Sequence, residues 1–193
     1  MKKFELTNEF ITNMFGTKLF RIRALVEFGD VEAGELGGYV EKESNLGHDD
    51  NAWVHDNAWV YGDAQVSGDA RVYDNARVYD NAWVYGDAQV SGDARVYGDA
   101  QVSGDARVCG NGDYAYAHGF GSVNRTTTFF RLKDGGVGVR CGCFYGTLAQ
   151  FRDKIRETHG ESAIAEEYLM LADLMELRFE EDENEVGNRK YVE

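Results

Sequence analysis

Between residues 54 and 108 the chain carries one apolar pattern without interruption. Valine stands at 54, 60, 66, 72, 78, 84, 90, 96, 102 and 108, and alanine at 52, 58, 64, 70, 76, 82, 88, 94, 100 and 106. Six residues do not return an α-helix to the same face, because its period is 3.6; six is a multiple of two and suits a strand. Each unit reads as a short strand centred on an inward valine with outward neighbours. A corner follows at Gly-Asp or Asp-Asn, residue types that tolerate left-handed backbone angles. Alanine then returns inward, where a corner leaves room only for a small side chain.

A unit of aliphatic residue, two turn residues and small residue resembles the hexapeptide repeat of left-handed β-helix proteins. The resemblance implies three units, or 18 residues, per coil, so that Val54 to Val108 make three full coils. Val40 and Leu46 are also six apart and read as the start of the coil, before a two-residue insertion around 47–50. The expected fold is mainly β: a left-handed parallel β-helix at 40–112, an N-terminal β cap at 1–39, a C-terminal α+β (ββαα) cap at 113–182 and an acidic, frayed tail at 183–193. Open ends of a solenoid need covering, which gives the flanks a structural task.

Folding the repeat on an 18-residue period aligns its outward side chains. One face stacks Tyr61, Tyr79 and Tyr97 beside Trp59, Arg77 and Arg95. A second presents Trp53, Arg71, Gln89 and Arg107 with His55, Tyr73, Ser91 and Cys109; the third presents Gln65, Trp83 and Gln101 with Ser67, Tyr85 and Ser103. Tyrosine, tryptophan and arginine together have the composition of a protein interface, so the first face is the candidate contact surface, although cross-strand tyrosines also stabilise a sheet by themselves. One corner aligns Asp69, Asp87 and Asp105, an acidic ladder that would hold a cation, mimic phosphates, or merely suit the turn.

The segment before the repeat includes Phe20-Arg21-Ile22-Arg23, Gly29-Asp30-Val31, Gly37-Gly38-Tyr39-Val40 and Asn51-Ala52-Trp53-Val54. It resembles the leading segment of hexapeptide-repeat proteins of bacteria, prophages and phages, some of them named transferases by fold alone. After Val108 the repeat dissolves. Residues 122–144 read as a hairpin turning at Asp134-Gly135-Gly136, with Val137, Val139, Cys141 and Cys143 on one face. Thr147 and Gln150 form a capping box for a helix whose stripe is Leu148, Phe151 and Ile155, ending at His159-Gly160. Ser162 starts a second helix with Ile164, Tyr168, Leu171 and Met175 on one side. From Gly121 to Phe130, through Cys141 to Phe144 and on to Gly160, this region resembles a C-terminal module of phage and prophage repeat proteins. Asn124, Arg125 and Thr126 are its most polar cluster, fit either for a small-anion contact or for ordinary strand hydrogen bonds.

Charge narrows the functions. The net charge is −14, and acids outnumber bases 10 to 6 in residues 1–50, 9 to 4 in 51–109 and 15 to 10 in 110–193. No segment is basic, which argues against direct nucleic-acid binding and against a membrane surface; it suits solubility or a basic partner. No apolar run spans a bilayer, and three cysteines make no disulfide framework; Cys141 and Cys143 read as buried structural thiols rather than half a metal site. A cytoplasmic chain with neither cofactor nor metal is expected.

The function expected first is that of a non-enzymatic acidic binding protein, phage- or prophage-encoded, which self-associates as a trimer or dimer or occludes a host protein, for instance a nucleic-acid-binding one, as a DNA mimic or counter-defence inhibitor. A structural, oligomerising spacer or virion component comes second. Third is the hexapeptide-repeat acyltransferase, for which His55 is the catalytic candidate, because such enzymes use a histidine in a cleft between subunits.

Overall fold

A computed structural model describes residues 2–184, in two units, Met1–Asn111 and Gly112–Glu193. In the first, β1 (Phe4–Thr12) and β2 (Lys18–Ala24) form an antiparallel hairpin, and β3 (Leu36–Val40) pairs antiparallel with β2. Ten two-residue strands follow: β4 (Trp53–Val54), β5 (Trp59–Val60), β6 (Gln65–Val66), β7 (Arg71–Val72), β8 (Arg77–Val78), β9 (Trp83–Val84), β10 (Gln89–Val90), β11 (Arg95–Val96), β12 (Gln101–Val102) and β13 (Arg107–Val108).

Each short strand pairs in parallel with the third one after it, as in Trp59↔Arg77, Trp53↔Arg71 and Gln65↔Trp83. The chain therefore winds around three sheets: β1-β2-β3-β5-β8-β11, β4-β7-β10-β13 and β6-β9-β12. Every valine and alanine of the repeat is fully buried. A fully buried valine contributes roughly 1.5–3 kcal/mol of transfer free energy. Val40 and Leu46 extend two ladders, facing Val60 and Val66, an offset two residues longer than that of the later turns.

Corners turn on a residue with positive φ, glycine at 62, 68, 86, 92, 98 and 104 and aspartate at 56, 74 and 80. Each of these aspartates accepts from the backbone N–H one turn further on: Asp56 from Asp74, Asp74 from Gly92 (2.9 Å) and Asp80 from Gly98 (3.3 Å). The asparagines beside Asp74 and Asp80 each donate to an aspartate one turn on, Asn75 to Asp93 (3.4 Å) and Asn81 to Asp99 (3.0 Å).

The first turn of the coil exposes carbonyls that no earlier turn can satisfy, and three devices cover them. The β3 strand lies over β5, with Tyr39 N–H donating to the Ala58 carbonyl (2.9 Å). Asn45, fully buried, donates to the carbonyls of Gly62 (3.1 Å) and Ala64 (2.8 Å). Lys3, 3% exposed, donates through Nζ to the carbonyls of Asp50 (2.9 Å) and Ala52 (2.8 Å) and to Asp50 Oδ1 (3.1 Å). Burial holds the Lys3 ammonium below its ordinary pKa, against the hydrogen bond to Asp50. Trp53, expected on display, is instead fully buried, with Phe28 edge-on at 5.4 Å and Phe4 at 6.2 Å. Its slot in the repeat is an outward one, but the N-terminal segment covers it.

The second unit corrects the ββαα reading. Four antiparallel strands, β14 (Tyr114–Phe120), β15 (Arg125–Arg131), β16 (Val137–Cys141) and β17 (Phe144–Thr147), form one sheet in that order. The expected hairpin is only its middle pair: Tyr114 faces Phe130 on one side, and Cys141 turns through Gly142 to Phe144 on the other. Cys143 therefore lies in a turn and is exposed, while Cys141 is buried.

Helix α1 (Leu148–His159) starts on the reciprocal bonds of Thr147 and Gln150 (2.9 and 3.3 Å) and stops at Gly160, φ 58°. Helix α2 (Ala163–Asn184) packs through Ala165, Tyr168, Ala172, Met175 and Phe179, with Leu171 half-buried against them, rather than through Ile164. The small Ala165 and Ala172 allow close approach, and that turns the buried stripe away from Ile164, which is 36% exposed. From residue 185 the expected acidic tail lies outside the described residues. Among those described, no helix is long and apolar enough to cross a membrane.

Candidate functional site

The candidate contact residues come together on the outer side of the six-stranded sheet. Tyr61, Tyr79 and Tyr97 stack with ring centroids 5.1 and 5.3 Å apart and planes within 4° and 12° of parallel. The rings follow the spacing of the rungs, so their edges, not their faces, meet solvent. Partial burial raises the phenol pKa of Tyr61 and Tyr79, with the neighbouring tyrosine acting in the same direction, and both remain neutral donors at physiological pH.

On the other side of the valine row, Arg77 lies over the Trp59 ring at 4.3 Å. This column continues beyond the repeat. Tyr39 pairs with Trp59 and Arg21 with Tyr39, and the Arg21 guanidinium lies 5.1 Å from the Tyr39 ring. Arg21 donates to the Tyr39 hydroxyl (2.9 Å), which donates in turn to Glu9 (3.1 Å). The sequence did carry a signal for Tyr39, since Tyr39-Val40 copies Trp59-Val60. It carried none for Arg21, which arrives by antiparallel pairing.

The four arginines of the repeat differ in their partners. Arg71 is paired with Asp30, and Arg107 donates to the carbonyls of Asp87 and Ala106 (3.0 Å each). Arg77 and Arg95 have no carboxylate within ion-pair distance among the described residues, although the chain is strongly acidic and Arg95 is exposed. Along the tyrosine edge of the same face run Asp63, Asp80 and Asp99, all exposed. Lys42 neutralises Asp63 (2.7 Å).

His55 sits on the second sheet, half-buried, its ring stacked 4.6 Å from Tyr73. Burial, then the charge of Arg71, lowers its pKa, so the imidazole is neutral near pH 7. Its Nε2 is buried without a hydrogen-bond partner, as are Trp53 Nε1 and an Arg71 guanidinium nitrogen. No serine, cysteine or carboxylate among the described residues is hydrogen-bonded to that ring to make a nucleophile or relay pair.

Asp69, Asp87 and Asp105 share one corner, where Asn51 donates to Asp69 (2.8 Å). No cluster of three potential metal ligands occurs among the described residues. In the second unit, Asn124 takes φ 50° in the β14–β15 turn, Thr126 Oγ1 meets His118 Nδ1 at 2.9 Å, and Arg125 lies across Gly142, where a Cβ would collide with it. A separate groove of about 370 Å³ is lined by Arg131, Leu132, Val137, Leu148 and Phe179, none of them singled out as a site by the sequence.

A family model described as the YdcK β-solenoid repeat matches residues 64–77, 70–86 and 88–104. The coil is a β-solenoid, of about four turns. The matched stretches lie wholly inside this solenoid and bear on its repeat alone. No curated protein is similar enough to match the chain. On the solenoid, then, the tyrosine ladder and the tryptophan–arginine column share one face, and His55 lies on another.

Proposed function

We propose that the chain is a non-enzymatic protein-binding protein whose contact surface is the outer face of the six-stranded sheet. One observation carries this reading: two guanidiniums without carboxylate partners among the described residues, Arg77 and Arg95, stand beside a ladder of three tyrosines on an otherwise acidic chain. Arginine and tyrosine on a rigid support are the residues from which binding hot spots are built. A sheet locked rung by rung offers them with little entropy left to lose on binding.

In this reading the solenoid winds left-handed, as the hexapeptide repeat implies, and the chain is phage- or prophage-encoded and works in the cytoplasm of a host. If the partner is a basic host protein, the acidic corner at Asp69, Asp87 and Asp105 adds to recognition, in the manner of a DNA mimic.

A photoreactive residue at position 79 tests the reading, with position 65 on the third sheet as the comparison. Protein adducts from position 79 and not from 65 are expected; equal yields from both would refute a dedicated face.

A second reading, a structural spacer, is favoured by the turn-to-turn hydrogen bonds at the corners. The acyltransferase reading is third, since the corners between Val54 and Val108 stay two residues long and project no loop over His55.

A further inference from the structure

We infer that the solvent face of α2 is a docking ridge for a basic amphipathic helix of another protein. This second surface lies on the C-terminal unit and stands independently of the solenoid face.

The helix has two apolar sides where folding needs one. Ala165, Ala172 and Phe179 recur at seven-residue spacing and, with Tyr168 and Met175, fill the core of the unit. Met170, Leu174 and Leu177 follow one another at four and then three residues on the opposite side, and each is more than half exposed. A surface helix buries one apolar stripe and turns polar residues outward. The second row of large apolar side chains therefore has no part in folding, and anchors at this spacing are those by which one helix docks on another.

Charge selects the occupant. Glu166, Asp173 and Glu180 stand seven residues apart along one flank of the ridge, and the only base among the described side chains of α2 is Arg178. Two of the neighbouring carboxylates are already taken: Arg152 of α1 holds Asp173 (2.8 Å) and Glu176 (2.7 Å). On the other flank Glu167 accepts from the Gly121 N–H (2.9 Å). Glu166 and Glu180 are exposed, and their carboxylates have no ion-pair or hydrogen-bond partner among the described residues. Glu166 suits the positive end of its own helix; Glu180, towards the other end, has no such reason. The two stand 14 residues apart, about 21 Å along the axis, with the ridge between them. A partner helix of about four turns meets both features when its apolar stripe lies on Met170, Leu174 and Leu177 and a lysine or arginine near each end reaches Glu166 and Glu180. Arg178 lies across the ridge from Glu180 and directs the partner's bases to the acidic side.

Other occupants fit less well. A second copy in antiparallel contact sets this acidic row against itself. In parallel contact the row meets the flank of Leu171 and Arg178, one base for three acids. An anionic lipid surface is repelled by the same row. Three exposed side chains make a small contact, so a dissociation constant of about 10 µM is expected.

The test is fluorescence anisotropy of a labelled synthetic helix titrated with the full chain. The probe carries leucines spaced as Met170, Leu174 and Leu177 are, and lysines spaced as Glu166 and Glu180 are, on an alanine background. Its twin carries glutamates in place of the lysines. Wild type should bind the lysine probe and not the glutamate probe. Leu174→Gln should weaken binding about tenfold. The double reversal Glu166→Lys, Glu180→Lys should release the lysine probe and take up the glutamate probe, a result that net charge cannot give because the variant remains strongly acidic. Circular dichroism confirms that the variants are folded. No binding below about 1 mM, or binding indifferent to Leu174→Gln or to the double reversal, overturns the proposal. A wild-type dimer in sedimentation velocity that Leu174→Gln abolishes overturns it too, since a second copy then covers the ridge.

Discussion

Replacing Lys3 by methionine tests whether the solenoid end is held by a buried cation. Methionine keeps the length and most of the apolar contact, and removes the charge and three hydrogen bonds, to the carbonyls of Asp50 and Ala52 and to Asp50 Oδ1. A buried acceptor that loses its donor costs about 1–3 kcal/mol, so two carbonyls amount to roughly 2–6 kcal/mol. Relief from burying an ammonium offsets part of that. The Asp50 carboxylate is not stranded, because it still accepts from Gly68 N–H (2.7 Å) and Ala52 N–H (3.3 Å). A net loss of about 3 kcal/mol follows, a little over a hundredfold in the local opening equilibrium. Repeat structures open from their ends, so the assay is hydrogen exchange read by mass spectrometry on peptides across 50–60 and across 90–108. Exchange should accelerate about a hundredfold in the first and little in the second. The exposed Lys42–Asp63 pair is the control, and Lys42→Met should leave both peptides unchanged. Acceleration of less than tenfold at 50–60, or equal acceleration in both regions, would refute the account of Lys3 as a local cap.

The corner at Asp80, φ 59°, separates backbone strain from hydrogen bonding. Asp80→Gly removes the bond to Gly98 N–H and the strain together and should be nearly neutral, whereas Asp80→Ala keeps the strain and should destabilise by about 1–2 kcal/mol in urea melts; equal values for the two would contradict this. His55 sets a pH dependence: its folded pKa lies below the ordinary 6.5. Between those two values the unfolded chain binds more protons, so stability should fall as pH is lowered from about 6.5 and level off below the folded pKa. His55→Gln should flatten that part of the curve of urea midpoint against pH, and an unchanged slope would assign the effect elsewhere.

The interior of the solenoid was legible because its requirement repeats. A valine every sixth residue, with alanine between, is the same constraint met ten times, and the turn residues carry their backbone preference in their own chemistry. The ends were not, because each end group acts once and at long range. Lys3 reads as a solvated terminal lysine until Asp50 and Ala52, 47 and 49 residues away, are brought over it. Trp53 occupies the same repeat slot as Trp59 and Trp83, yet it is buried while Trp83 is 47% exposed. The difference lies in Phe4 and Phe28, outside the repeat. Likewise the alternation through Val137, Val139 and Cys141 holds as far as the strand does, and Cys143 leaves it because Gly142 turns the chain.

The distribution of Asp-Asn and Gly-Asp corners follows from the same physics and bears on the acidic ladder. An aspartate in the left-handed region is strained by up to about 1–2 kcal/mol; a charge-assisted hydrogen bond to a backbone N–H contributes a comparable amount. Asp-Asn is therefore tolerated where the next turn offers an N–H to its carboxylate and an aspartate to its asparagine, as Asp74-Asn75 finds at Gly92-Asp93 and Asp80-Asn81 at Gly98-Asp99. The corner of Gly68, Gly86 and Gly104 is closer: a Cβ on Gly68 would stand 2.8 Å from the Gly86 nitrogen, and one on Gly86 would stand 2.9 Å from the Gly104 nitrogen. A side chain at Gly68 or Gly86 does not fit there, so an Asp-Asn corner is excluded at those turns, and Asp69, Asp87 and Asp105 stack without an asparagine between them. The tight backbone accounts for the glycines, and the turn preference of aspartate suits the position after them before any ligand is invoked. The aspartates along the tyrosine edge differ: their corner alternates Gly62, Asp80 and Gly98, and close packing of the backbone does not dictate their charge. On that edge each carboxylate has a partner within the chain: Lys42 at Asp63, the Gly98 N–H at Asp80 and the Asn81 side chain at Asp99.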